Sequence, residues 1–286
     1  MIKKRNGEII TTNQAQNKVL SILYDTFGGR IILKFLISPA VSRTVGTFMD
    51  SPFSIPLINK FIKKHNLDTS DYIMKHFRSY NDFFTRKIKP EKRPVDYRAD
   101  HLISPCDSKL SVYRIQKNSI FKIKDSLYRI SDLLANEFLA RRYDGGYCFI
   151  YRLEVDDYHR YCYIDDGLKT ENVFIDGELH TVNPIALKRY NIYKRNCREY
   201  TVMHTDNFGD VVHMEVGALM VGRICNHHGE YYFVKGEEKG MFKFGGSTIV
   251  QLFEKGRIRP DKDIIRNTRE GFETVVHYGE KTGTAL

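Results

Sequence analysis

From Pro105 onward the chain is written in short strand-like runs that no regular series of helices separates, and this restricts its fold more than any other feature. The runs at 109–113, 120–124, 147–155, 211–224, 231–235 and 248–253 are rich in Val, Ile, Tyr and Phe and are punctuated by Gly and Asp. A single helical stretch, about 131–142, interrupts them. Parallel α/β topology needs strands that alternate with helices, so the expectation is a mostly antiparallel β body. The first hundred residues read differently. A frayed polar start (1–12) leads into a helical pattern over 13–37, broken at Gly28-Gly29 and ended near Ser38-Pro39. A helix is predicted over 55–65, and another over about 70–77 with capping candidates at 68–71. The predicted class is α+β, with a helical region (1–100) set on a β-rich body (101–286).

The charge is as uneven as the pattern. The whole chain of 286 residues carries a net +10, but residues 1–100 hold 18 Lys and Arg against 9 Asp and Glu, while the rest holds 27 against 26. A composition that is 42% hydrophobic and 28% charged excludes disordered and collagen-like classes. No apolar run approaches the ~18 residues of a spanning helix, and the polar residues after Lys3, Lys4 and Arg5 do not resemble a signal peptide; export and membrane spanning are not expected. Five cysteines (Cys106, Cys148, Cys162, Cys197, Cys225) form no C-x-x-C pair, which argues against a zinc site or a disulfide framework and fits a reducing compartment. On a helical wheel of 55–65, Ile55, Leu57, Ile58, Phe61 and Ile62 fill one arc and Lys60, Lys63 and Lys64 the other. Such a helix, and likewise the apolar stretch around Ile31 to Leu36, either packs on the β body or lies on an anionic membrane. Arg86, Lys87, Lys89, Lys92 and Arg93 form a basic cluster, but no nucleic-acid motif accompanies it, so nucleic acid is not an expected partner.

Four segments carry the chemistry: Asn81 to Asp96 (NDFFTRKIKPEKRPVD), Ser104-Pro-Cys-Asp-Ser108, Asp157-Tyr-His-Arg-Tyr-Cys162, and Lys235 to Thr248 (KGEEKGMFKFGGST). Taken singly they read as a turn aspartate, a surface histidine and a glycine hairpin. In their order and spacing they resemble the phosphatidylserine decarboxylase proenzymes of the bacterial Gly-Gly-Ser-Thr type. The resemblance runs from about Phe83 to Phe253 and takes in Val182-Asn-Pro-Ile-Ala186, Asn196, Arg198 and Val216 to Gly222.

That resemblance implies a chain that cuts itself between Gly246 and Ser247, giving a β chain (1–246) and an α chain (247–286) that stay together as a heterodimer. Ser247 Oγ would attack the uncluttered carbonyl of Gly246. The resulting ester would eliminate to dehydroalanine, which hydrolyses to a covalent pyruvoyl group. That ketone takes the substrate amine and accepts the electron pair left when CO2 departs from phosphatidylserine, giving phosphatidylethanolamine. It also implies contact with an anionic membrane surface and a peripheral place on the cytoplasmic side of the cell membrane; a homo-oligomer is left open. By family pattern Asp107 and Ser247 belong to an Asp–His–Ser relay, and His159 serves the decarboxylation step. The relay histidine's own place is held by Cys162. Three readings follow: His159 serves both steps, a Cys162 thiolate substitutes, or maturation fails and leaves an uncleaved lipid-binding homologue. A pyruvoyl decarboxylase of a soluble amino acid is a further alternative.

Overall fold

A computed structural model describes residues 1–10, 14–118, 120–123, 126–181, 192–218, 223–244 and 247–286. The architecture is α+β, as expected. Among the described residues an eleven-stranded sheet has six strands as its spine, in the spatial order Arg198–Thr205, Gly209–Val216, Ser247–Phe253, Tyr147–Leu153, Ser108–Arg114 and Glu273–Val276, each antiparallel to the next. Side chains alternate between its faces. Cys148, Ile150, Val250 and Leu252 enter one core with Val212 and Met214. Phe149, Tyr151, Leu153, Ile249 and Phe253 enter the other with Leu110 and Val112. Both faces are covered, which is why these runs read as continuous apolar stretches. N-terminal helices contribute Leu20, Tyr24 and Leu33 to the first core. A smaller sheet of Ile224–Asn226, Glu238–Phe242 and Arg160–Cys162 supplies Tyr161, Cys162 and Phe242 to the second. Its middle strand comes so close to its neighbour that a Cβ on Gly240 would lie 2.4 Å from the Cys225 carbonyl oxygen, so only glycine fits.

The N-terminal region holds α1 (Gln14–Asp25), α2 (Phe27–Leu36), α3 (Pro39–Asp50) and α4 (Pro56–His65). The predicted break at Gly28-Gly29 falls instead at Thr26, whose Oγ1 accepts from Gly29 N at 3.0 Å and so caps α2. Gly29 is kept by contact, since a Cβ there would collide with the Ile22 carbonyl. Pro39 starts a helix that the sequence reading did not expect, because a proline at the first helical position lacks only an N–H the helix leaves unused. The helix expected over 70–77 is absent: beyond a 3-10 turn at Thr69–Asp71, Ile73 N donates to Lys87 O and Tyr72 pairs with Ile88, which holds the segment extended. The helix expected over 131–142 is two, Ile130–Leu134 and Glu137–Arg141, parted at Ala135 (φ 49) and recapped by Asn136. Nor are the first residues frayed. Ile2–Lys3 joins the main sheet in parallel with Glu273–Val276, and Arg5 bonds Asp261 and Asp263, each at 2.8 Å.

Candidate functional site

Ser247 opens the strand Ser247–Phe253, paired with Leu153 across the neighbouring strand. Its side chain is fully buried and shares a face with Ile249 and Leu153. Among the described residues its Oγ has no hydrogen-bond partner. A buried hydroxyl is ordinarily satisfied; Thr248 Oγ1 and Ser108 Oγ share this state, and Ser247 is set apart from them by following Gly245-Gly246 in sequence. Gly245 and Gly246 lie outside the described residues. The chain just before them is held at three points: Phe242 N donates to His159 O (2.9 Å), Lys243 N to Arg223 O (3.1 Å) and Phe244 N to Asn81 Oδ1 (3.0 Å). Other residues of the motif brace this approach. Lys235 Nζ donates to the carbonyls of Arg98 and His101, and Glu238 pairs with Arg160.

His159 stands beside that approach. It leaves the loop that follows the strand Tyr147–Leu153, and its ring packs on Phe84, with centroids 4.3 Å apart. Phe84 in turn contacts Phe244 at 5.5 Å. The Asn81-Asp-Phe-Phe84 motif, on the helix Tyr80–Phe84, therefore links the histidine to the chain just before residue 245 through one ring and one amide. His159 Nδ1 lies 2.8 Å from the Asp157 carbonyl. A carbonyl only accepts, so Nδ1 carries the proton and the neutral ring's lone pair is on Nε2. Asp157 itself is buried against Lys109 (2.7 Å); burial pushes its carboxyl up to about 6 despite that cation.

Asp107 is in a different setting. The row Thr248–Arg152–Lys109 crosses three strands. It sets Asp107 two strand spacings, roughly 10 Å, from the start of the Ser247 strand. Asp107 therefore does not reach Ser247 directly, since the strand Tyr147–Leu153 lies between their strands. Arg93 grips its carboxylate with Nε at 2.8 Å and Nη2 at 2.6 Å, and Tyr278 N donates at 2.8 Å. His277 Nδ1 lies 3.8 Å away. Burial alone would raise this carboxyl, but His277 and Arg93 outweigh it and hold it at about 2. A group so acidic orients and attracts; it does not take protons near neutral pH. The same carboxylate raises the His277 pKa.

Cys162 lies between these groups. Its N donates to Pro105 O (2.9 Å), beside Asp107, and its side chain packs in the core that Ser247 faces. Tyr278 joins it to Asp107, giving its N–H to the carboxylate and its hydroxyl to the thiol's surroundings, where it also donates to Gly236 O at 3.0 Å. Burial pushes the Cys162 thiol up to about 12. At that value it is protonated near neutral pH, so the geometry lends the thiolate reading no support. Replacing it is informative. Cys162→His is expected to speed conversion of precursor to fragments several-fold in a gel time course, while costing about 1–3 kcal/mol because the larger ring enters a filled core. An unchanged rate would show that His159 suffices.

Other residues singled out by sequence hold the fold. Asn196 Nδ2 bonds the His180 and Gly217 carbonyls, and Arg198 bonds those of Asp132 and Leu133. Val182 to Ala186 and residues 219–222 lie outside the described residues. The basic cluster at 86–93 is not a surface patch throughout: Arg86 is buried over the rings of Tyr72 (4.1 Å) and Phe83 (4.6 Å), and Arg93 serves Asp107. The site roles of Arg93, Tyr278 and His277 escaped sequence reasoning. The first was masked by its basic neighbours, and the other two lie beyond the recognised motifs.

A sequence profile described as phosphatidylserine decarboxylase matches residues 80–284. The chain is similar to phosphatidylserine decarboxylase proenzyme 2 of Clostridium acetobutylicum, 48% identical over 277 residues covering 96% of this chain and 95% of that one. It is 41% identical over 278 residues to a phosphatidylserine decarboxylase proenzyme of Clostridium novyi, covering 95% and 94%. A proenzyme of that name from Ruminiclostridium cellulolyticum is 43% identical over 279 residues, covering 95% and 93%.

Proposed function

The chain belongs to the phosphatidylserine decarboxylase family, and from that premise we propose that it cuts itself before Ser247 and then, as a pyruvoyl enzyme, converts phosphatidylserine to phosphatidylethanolamine and CO2. The observation that carries the reading is the buried Ser247 Oγ with no hydrogen-bond partner among the described residues, at the head of a fully paired strand. A nucleophile needs its lone pair uncommitted, and this hydroxyl has no competing bond there. His159, with its lone pair on Nε2, is the base we assign to both steps: it takes the Ser247 proton as Oγ attacks the Gly246 carbonyl, and it manages the substrate proton later. Asp107, fixed in its anionic form, acts through the field it adds to the segment 154–162. The pyruvoyl group supplies a ketone that binds the substrate amine and an adjacent carbonyl that accepts the electrons left by CO2.

After the cut the two chains stay together without a covalent link. The strand Ser247–Phe253 is hydrogen-bonded on one side to Gly209–Val216 and on the other to Tyr147–Leu153, both in the β chain. The test is the intact mass of purified protein together with CO2 release from phosphatidylserine in mixed micelles. The reading expects a 40-residue fragment with a ketone in place of its terminal amine. A continuous chain after prolonged incubation with lipid would overturn it.

Membrane contact belongs to the same proposal, and of the two candidate faces the one around Ile31 supports it while the 55–65 helix does not. On α4, Ile58 and Phe61 are buried against Phe77, Tyr80 and Phe83, so that helix packs on the body. Phe27, Ile31 and Ile32 on α2, with Phe48 on α3 and Phe53 after it, are exposed instead, and Arg30 and Lys34 flank them. None of the described helices is long and apolar enough to cross a membrane. A peripheral seat on the cytoplasmic face of the cell membrane fits such a surface. Phe27→Asp with Ile31→Asp is expected to cut co-sedimentation with anionic vesicles about tenfold or more, since each apolar side chain contributes about 1.5–3 kcal/mol when buried. Undiminished binding would place the contact elsewhere.

A further inference from the structure

A cavity of about 730 Å³ lies between α3 and the strand Val173–Ile175, and it reaches the chain just before the cleavage point. Arg43, Thr47 and Asp50, spaced as one helical face, form its α3 wall. Lys243 and Phe244, the last described residues before the cut, form another wall. Asp50 is the internal counter-ion: Lys243 Nζ lies 3.0 Å from Oδ1 and Arg223 Nη1 3.5 Å from Oδ2, while Asn81 Nδ2 donates to Oδ1 at 3.1 Å. Resting on the function proposed above, we infer that this cavity is the phosphodiester subsite, in which Arg43, Arg223 and Lys243 receive the unesterified oxygens of a lipid headgroup whose amine reaches residue 247.

The charge balance selects a diester. Among the described residues, Arg43, Arg223 and Lys243 stand against two carboxylates, Asp50 and Asp176, so this part of the lining carries one excess positive charge. A phosphodiester monoanion neutralises it, whereas a phosphate dianion would leave the site negative. Guanidinium groups offer paired donors to two oxygens, and the lysine adds a point charge. Chain connectivity supplies the register. Lys243 and Phe244 precede residue 247 by four and three positions, so an anion held at this wall lies a short stretch of chain from the residue proposed to react. Phe174, on the strand Val173–Ile175, lines the cavity and is exposed, giving it one apolar border.

The test uses cleaved enzyme and the uncleaved Ser247→Ala precursor in parallel. In cleaved enzyme, Arg223→Ala and Arg43→Ala are each expected to raise the KM for phosphatidylserine about tenfold with kcat within about twofold, and to leave the cleaved fraction unchanged on a gel. Gly46→Leu is the second kind of variant. A Cβ at Gly46 would meet nothing within 4 Å, so α3 accepts the side chain while the cavity fills and KM rises. In the precursor, calorimetric titration with glycerophosphoserine should show binding that Arg223→Ala weakens and that inorganic phosphate does not displace. An unchanged KM in both arginine variants, or displacement by inorganic phosphate at equal concentration, would overturn the subsite. Absence of turnover by the wild-type chain would overturn the proposed function, and the precursor titration would still decide the subsite.

Discussion

Ser247→Ala is expected to remain one chain of 33.4 kDa and to release no CO2 from phosphatidylserine, with its thermal midpoint within about a degree of the uncleaved wild type. The loss is total because one residue has both tasks: its oxygen breaks the backbone and leaves with the Gly246 carboxylate, and its carbons become the ketone, whose oxygen comes from water. The stability is spared because Oγ holds nothing in place: its neighbours Leu153 and Ile249 pack on apolar atoms, and among the described residues no donor or acceptor loses a bond when Oγ goes. Removing an unsatisfied buried hydroxyl is neutral or slightly favourable. A merely structural serine would show the reverse, an intact fragment pattern with a lowered midpoint. A variant that still parts at residues 246 and 247 would end the assignment of Ser247 as the nucleophile.

The parts of this molecule that sequence made legible were those whose physics is local or whose motif is long. Strands such as Tyr147–Leu153 and Ser247–Phe253 were readable because burial on both faces concentrates Val, Ile, Tyr and Phe in one run. The strand Arg198–Thr205 was not: it mixes Arg, Glu, Thr and His, and its apolar members reach the core only because Gly209–Val216 pairs beside it. The helix expected over 70–77 failed for the same kind of reason. Its capping signal is genuine, as Asp68 accepts from Ser70 N, but the backbone beyond it pairs with residues 87 and 88 instead. At the site, Asp107, His159 and Ser247 were legible because each sits in a dense motif. Arg93, which fixes the state of Asp107, and Asn81, which fixes the backbone of Phe244, act over separations that no local pattern records. The amphipathic arc of α4 was read correctly as apolar and could not be assigned to body or membrane, because composition does not say what a face meets.

The largest loss of stability is expected from Glu215→Leu. Glu215 and Lys239 are both fully buried and pair directly, with Asn226 Oδ1 accepting from Lys239 Nζ at 2.7 Å and Asn226 Nδ2 donating to Glu199 at 2.8 Å. His213 Nε2 lies 3.3 Å from the same carboxylate, and Gln251 Nε2 donates to its other nitrogen at 3.0 Å. Burial lowers the His213 pKa, so the ring is neutral at pH 7 and does not replace Lys239 as counter-charge. Removing Glu215 leaves an ammonium in the protein interior, which costs about 3–5 kcal/mol and lowers the urea midpoint accordingly. Adding Lys239→Met should recover most of that loss, because two apolar side chains of similar length need no counter-ion. Acid discriminates further. Burial alone would raise the Glu215 carboxyl, but Lys239 outweighs it and holds it at about 2, below the ordinary value of about 4.3. The stabilisation is therefore complete above the unfolded-state value and is lost as pH falls from about 4 toward 2. Urea midpoints of the wild type should drop over that window, and those of Glu215→Leu with Lys239→Met should drop less. A single variant as stable as the wild type, or a double variant no better than the single, would mean that the pair is hydrated and that this core is not dry.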